Sequence, residues 1–237
     1  FNPIQIIQSN WFFSAIIIGC VFISMFYLMA ISSQKVGVAI TSVSNKMSLA
    51  IPVVAGVVLY GESLLGFKLV GVICAILAVA LVTFPKKGIE LDRKFLILPL
   101  IIFFGSGFLD TFFKYVETHQ IRSNEIEVFS ASLFLVAFIV GASVLLFNRF
   151  KKQQTLENKS ILAGIALGIP NYFSIHFLLM ALNLPNWEST VIFPLNNTGI
   201  VLASTVLAIV LFSERLSKLN WIGIILAIFS IALIAAA

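Results

Sequence analysis

A few charged and polar residues stand inside otherwise apolar stretches, where their chemistry is most informative. The segment SVSNK places Asn45 and Lys46 deep in one apolar run, and PLNNT places Asn196 and Asn197 in another. An ammonium group at the bilayer centre costs roughly 2.5–3.5 kcal/mol on insertion scales, so such a lysine usually faces a cavity or a charged partner. The four side chains are candidate substrate-binding residues, with Lys46 attracting an anionic group. The alternative is a lysine neutralised by a neighbouring acid, or one whose stem reaches the interface.

Two further pairs are spaced four residues apart, which places the members of each pair on one helical face. Asp110 and Lys114 form a candidate ion pair, and Asp110 is also a candidate partner of Lys46 or carrier of a coupling proton. Snorkelling toward the interface is the alternative for Lys114. Tyr172 and His176 are candidate substrate contacts, and histidine can change its charge near neutral pH. The alternative for His176 is a hydrogen-bonded packing role.

Several kinds of catalytic signature are absent from the sequence. It contains no glycine-rich phosphate loop, no metal-ligand spacing and no Ser–His–Asp order with a nucleophile elbow. We therefore expect a protein that is not an enzyme and that uses no cofactor or metal. Its expected partners are a small-molecule substrate, the lipid bilayer and a coupling proton, without nucleic acid. The sequence leaves the oligomeric state open.

Membrane helices must hold these residues in place. The chain of 237 residues is 60% hydrophobic and 11% charged, whereas about a quarter of the residues in a soluble domain are charged. Runs of about 20 apolar residues match the thickness of the hydrocarbon core. We predict an all-α integral membrane protein, a polytopic helical bundle with eight spans at Trp11–Ile31, Val36–Tyr60, Leu65–Phe84, Phe95–Val116, Val128–Phe147, Ile161–Leu182, Ser189–Phe212 and Leu219–Ala236.

Part of the sequence occurs twice. The stretch VAGVVLYGESLLGFKLVGVICAILAVALV resembles VLAIVLFSERLSKLNWIGIILAIFSIALI near the end of the chain. Glu62 precedes Gly71 by the same interval that separates Glu214 from Gly223. These four residues are predicted to shape equivalent turns, because a carboxylate beside a helix start can accept hydrogen bonds from free backbone N–H groups. A gating role is the alternative for the two glutamates.

The duplication predicts an inverted repeat. The first three spans match the last three and lie five spans before them, so the two copies cross the membrane in opposite directions. The ancestral unit then has five helices. Residues 1–87 are predicted to be the last three helices of a first repeat whose two upstream helices are missing, and residues 88–237 the second repeat. The full protein is expected to have ten spans.

The repeated stretches resemble a known family signature. LFSERLSKLNWIGIILAIFSIALI, and more weakly LYGESLLGFKLVGVICAILAVALV, are similar to the EamA-type members of the drug/metabolite transporter superfamily. The shared pattern is an apolar helix, a short turn with glutamate, and a helix that opens near an isoleucine–glycine step. This resemblance implies ten helices in two inverted units and a transport role, with substrates that differ widely between members.

The residues and the resemblance together favour a secondary transporter. Its expected substrate is a small polar metabolite, such as an amino acid or a related anion, moved by alternating access. Pro52, Pro170 and Pro194 fall inside predicted spans, where proline often marks kinks or hinges. One alternative is a multidrug exporter of lipophilic cations in the same superfamily, with Asp110 as its membrane carboxylate. Another alternative is a lipid-linked membrane enzyme or an accessory subunit.

Basic residues concentrate in alternate loops. The positive-inside rule places such loops in the cytoplasm, and we expect the membrane to be a bacterial inner membrane. The residues that set this orientation are Lys35, Lys86, Lys87, Arg93, Lys94, Arg149, Lys151, Lys152, Lys159, Arg215 and Lys218.

Overall fold

The fold is built of apolar helices joined by short connections. The computed structural model describes residues 6–36, 38–83, 95, 97–152, 158–185, 187–212 and 218–235. The eight predicted spans are confirmed as helical, and the second is divided in two. In the described ranges the helices of ten or more residues are α1 (Phe12–Lys35), α2 (Val38–Met47), α3 (Ala50–Tyr60), α4 (Phe67–Thr83), α5 (Ile97–His119), α6 (Ile126–Lys152), α7 (Asn158–Leu182), α8 (Ser189–Phe212) and α9 (Lys218–Ala235).

Several of these helices are long and apolar enough to cross a bilayer. Within the described residues, four meet both criteria: Phe12–Lys35, Ile97–His119, Ile126–Asn148 and Lys159–Leu182. The shorter apolar helices are Ser44–Tyr60, Phe67–Leu81, Ser189–Ala203 and Lys218–Leu233. Large apolar side chains such as Phe13, Phe104 and Phe138 are exposed on the helix surfaces, as lipid-facing residues are. The chain is a multi-pass, all-helical integral membrane protein.

The second span is broken between α2 and α3. Pro52 has no backbone N–H, so the Ser48 carbonyl four residues earlier loses its usual helical donor. The N–H of Ile51 donates to that carbonyl instead, at 2.9 Å, which gives a tighter turn. By contrast, Pro170 and Pro194 lie inside α7 and α8, which continue through them. The break comes directly after the SVSNK segment.

The helices divide into two compact units. Unit 1 contains Phe1–Phe26 and Phe112–Pro185, and unit 2 contains Tyr27–Thr111 and Asn186–Ala237. Each unit draws helices from both predicted repeats. The division by packing therefore does not follow the predicted repeat boundary, and the duplication stays a prediction.

In unit 1, an aromatic pair and a glycine bring α1 against α6. The indole ring of Trp11, just before α1, meets the Phe129 ring edge-on with centroids 5.6 Å apart. Gly19 faces α6 so closely that a Cβ atom there would lie 2.7 Å from the carbonyl oxygen of Leu133. A larger residue at Gly19 would force the two helices apart.

In unit 2, α4 and α9 pack along each other through small residues. Small side chains let membrane helices approach closely, where van der Waals contact stabilises them. The Asn220 side chain donates to the Leu81 carbonyl at 3.4 Å, joining the start of α9 to the end of α4, so the two helices are antiparallel. The small buried residues of the two helices are Gly71, Ala75, Ala78, Gly223, Ala227 and Ser230.

The α2–α3 segment also runs antiparallel to its neighbour in unit 2, which is α8. A Cβ atom built on Gly56, near the end of α3, would lie 3.1 Å from the hydroxyl oxygen of Ser189 at the start of α8. Lys46, near the end of α2, contacts Asn197 further along α8. The duplication equates the second span with the seventh and the third with the eighth, and an inverted repeat requires opposite directions of both pairs. The apolar core between these helices contains Leu49, Val53, Val72, Val79, Val191 and Val201.

Candidate functional site

Lys46 is the centre of a polar cluster built by three helices of unit 2. Its ammonium nitrogen donates to Oδ1 of Asn197, on α8, at 3.3 Å. The carboxyl group of Asp110, on α5, interacts electrostatically with the same ammonium group. The structure thus brings together predicted residues that are far apart in sequence. We call Asn45, Lys46, Ser106, Asp110 and Asn197 the Lys46 cluster.

Local hydrogen bonds orient the amide that faces Lys46. Asn197 is only 9% exposed, and its side-chain nitrogen donates to the Phe193 carbonyl at 3.1 Å. This bond to the preceding helical turn leaves Oδ1 to accept from Lys46. Asn196, the next residue along α8, is half-buried.

Helix α5 is held against the other side of the cluster. The buried Ser106 hydroxyl donates to Oδ1 of Asn45 at 2.7 Å. Beside it, Gly107 packs directly on the Ile51 side chain of α3, and a Cβ atom at Gly107 would overlap that side chain. This close approach sets the position of Asp110, which lies one helical turn beyond Ser106.

The cluster has N–H donors that bind no protein acceptor among the described residues. An ammonium group has three N–H donors and a primary amide has two. Among the described residues, one acceptor, Asn197, contacts Lys46, and the side-chain nitrogen of Asn45 has no protein acceptor. Lys46 and Asp110, both among the described residues, do not form a direct ion pair. Donors therefore remain for a carboxylate or a similar group.

Two predicted substrate contacts lie in unit 1. The rings of Tyr172 and His176 are parallel, with centroids 6.0 Å apart, and Phe134 meets Tyr172 edge-on at 5.5 Å. Nδ1 of His176 is buried and has no hydrogen-bond partner within the described ranges. The two residues share one face of α7, as their spacing predicts.

Lys114 belongs to a polar network that the sequence patterns do not single out. It donates to Glu117 at 3.1 Å, and the Asn183 side chain donates to the other oxygen of Glu117 at 3.0 Å. Ser123 completes the network by donating to Asn183 at 2.8 Å. The three-residue interval between Lys114 and Glu117 on α5, which the sequence analysis did not use, is the sequence feature that indicates this network.

Glu62 binds the beginning of α8 rather than the helix that follows its own turn. Its carboxylate accepts the backbone N–H groups of Ser189 and Thr190 at 3.0 and 2.8 Å, and the Ser189 hydroxyl at 2.7 Å. Burial raises the pKa of Glu62, but these hydrogen bonds outweigh it, and the pKa lies below its ordinary value. Glu214, the predicted equivalent, lies outside the described residues.

The lowered pKa of Glu62 predicts how stability depends on pH. A carboxylate with a depressed folded-state pKa stabilises the fold above its ordinary pKa, 4.5, and loses that contribution as the pH falls through the folded-state value. We expect Glu62→Gln to be less stable at neutral pH by about 1 kcal/mol and to lose less stability under acid. Thermal unfolding in detergent from about pH 7 to about pH 3 measures this. An equal loss of thermal stability on acidification in the wild type and in Glu62→Gln would contradict the prediction.

Comparison with known proteins gives the family. The model of the EamA-like transporter family matches residues 93–236, more than half of the chain and nearly all of the predicted second repeat. An uncharacterized protein of Haemophilus influenzae is 30% identical over 216 residues, which cover 90% of this chain and 72% of that protein. The chain belongs to the EamA-like transporter family.

Proposed function

We propose that the chain forms a secondary transporter that moves a small polar metabolite across a bacterial cytoplasmic membrane by alternating access. The observation that carries this proposal is the Lys46 cluster, an ammonium group and neutral donors inside a bundle of apolar helices. A charge in that setting usually marks a substrate or ion pathway. Family membership supports the transport role.

Four residues of the Lys46 cluster, together with Asn196, have proposed roles. Lys46 binds the anionic group of the substrate, and Asn45, Asn196 and Asn197 supply neutral hydrogen bonds. Asp110 balances the Lys46 charge and is a candidate carrier of a coupling proton. In unit 1, Tyr172 and His176 are further candidate contacts, and His176 is a second candidate for proton exchange. Amino acids and related anions fit this set of groups.

Export of a lipophilic cation is the competing function, and the position of Lys46 disfavours it. A cation held by Asp110 would also meet the positive charge of Lys46, because the two groups interact electrostatically. Like charges close together in a low-dielectric site repel strongly. A negative group at Lys46 would likewise meet Asp110, so the paired charges favour a substrate that carries both a negative and a positive group, as an amino acid does, over a lone lipophilic cation.

A flux experiment separates the two functions. We expect the full-length protein in liposomes to exchange radiolabelled amino acids or small carboxylates, and not tetraphenylphosphonium. The Asp110→Asn variant should change the pH dependence of that exchange if Asp110 carries the proton. Exchange of tetraphenylphosphonium that Asp110→Asn abolishes, without exchange of any anion or amino acid, would contradict the proposal.

A further inference from the structure

Two polar contacts tie the turn at residues 61–66 and the first turn of α4 to the residues at the beginning of α8. The first is the Glu62 carboxylate, which holds two backbone N–H groups and a hydroxyl of α8. The second is the ion pair between Lys68 and Glu188, with nitrogen and oxygen 2.9 Å apart. We call Glu62, Lys68, Glu188, Ser189 and Thr190 the α8 latch.

The backbone around the latch is shaped so that Glu62 can fold back. Gly61 and Gly66 bracket the turn with φ angles of +64° and +58°, which glycine adopts without steric cost. At Gly56, a Cβ atom would lie 2.7 Å both from Oε2 of Glu62 and from Cγ2 of Thr190. Glycine at position 56 therefore makes the room that the Glu62 carboxylate occupies.

Two latch residues, Ser189 and Thr190, lie on the helix that carries Asn197, at a distance from the Lys46 cluster. Ser189 precedes Asn197 by two helical turns, which is about 12 Å of helix at 1.5 Å per residue. Pro194 lies between them and has no N–H, so α8 lacks one backbone hydrogen bond there. The first turn of α8 is thus less firmly joined to the part that carries Asn197.

The ion pair of the latch is of a kind that water can replace. The Lys68 and Glu188 side chains are 26% and 29% exposed, and partly exposed ion pairs contribute little net stability. The small-residue contact of α4 with α9 is different, because it is apolar and buried. If the bundle opens at this end, the ion pair separates at little cost, and the contacts of Glu62 with the buried Ser189 and Thr190 supply most of the resistance.

We propose that the α8 latch is a gate, closed in this structure, whose release opens the Lys46 cluster to the side of the membrane on which residues 61–66 lie. The inference rests on the proposed transport function, since a gate needs a site to close. It assigns Glu62 a role in conformational change as well as in the turn.

Accessibility of the site tests the gate without any substrate. The full-length protein, with Cys20 and Cys74 replaced by alanine and with Asn196→Cys as the reporter, is labelled in membrane vesicles by an impermeant maleimide. We expect Glu62→Gln to raise the labelling rate about tenfold from the latch side, since hydrogen bonds to a charged group are lost. The control is Glu127→Gln, which removes an exposed carboxylate from the first turn of α6.

Two outcomes would overturn the gate. One is a rate in Glu62→Gln that matches the control, and the other is an equal rise from both membrane sides, which indicates general loosening. Lys68→Ala gives a second test if Glu62→Gln does not fold. If Glu62→Gln raises the labelling rate but the wild-type protein transports no substrate, the proposed function is contradicted and the gate is supported. If the wild-type protein transports but Glu62→Gln leaves the labelling rate unchanged, the gate alone is overturned.

Discussion

Replacing Lys46 by methionine is expected to reduce transport by about one to two orders of magnitude. Methionine keeps most of the length of the side chain but removes the charge and the donors that face Asn197. A hydrogen bond to a charged group contributes about 1.5–3 kcal/mol, and each 1.4 kcal/mol is about a factor of ten. Radiotracer exchange by full-length protein in liposomes measures the loss.

Two controls separate loss of binding from loss of folding in Lys46→Met. Lys46→Arg keeps the charge and should retain part of the activity. Removal of Lys46 leaves Asp110 without its electrostatic partner, so the Lys46→Met/Asp110→Asn protein should regain stability and not transport. A folded Lys46→Met protein that exchanged every substrate of the wild type at the normal rate would contradict the role of Lys46.

The spans are predictable because a bilayer imposes a strong constraint on composition. Runs of about 20 apolar residues separated by charges are typical of membrane-spanning helices. The helices begin and end within a few residues of the expected positions. The break between α2 and α3 is harder to predict. Proline within a helix is compatible both with interruption, as near Pro52, and with continuity, as at Pro194. The neighbouring helices decide between the two.

The charged members of the site are predictable for a related reason. A lysine inside an apolar run needs a partner, so Lys46 is conspicuous, and Asp110 is one of few acids that can serve. Ser106 is not conspicuous, because serine is common in membrane helices and carries no charge. The partners of Glu62 are hard to predict for another reason. Two of its three hydrogen bonds come from the backbone N–H groups of Ser189 and Thr190, and backbone N–H groups occur in every sequence.

Gly107 is the position where one added methyl group should disturb the site most. Alanine normally stabilises a helix relative to glycine by about 0.5–1 kcal/mol. At Gly107, however, the new Cβ atom would overlap the Ile51 side chain, and overpacking costs about 1–3 kcal/mol. We expect Gly107→Ala to unfold at a lower temperature in detergent and to transport less, because Ser106 and Asp110 move with α5. Gly164→Ala, whose Cβ meets no neighbour within 4 Å, is the matched control.

A double-mutant cycle locates the cause of the Gly107→Ala defect. Ile51→Ala removes the outer atoms of the side chain that the new methyl group would meet, although the Ile51 Cβ atom would still lie 2.7 Å away. The combined variant should therefore be more stable than the sum of the single changes predicts, by about 0.5–3 kcal/mol. Recovery of transport together with stability would show that the spacing of α5 from α3 holds the Lys46 cluster in register. Additive effects would mean that Gly107 acts through some other contact.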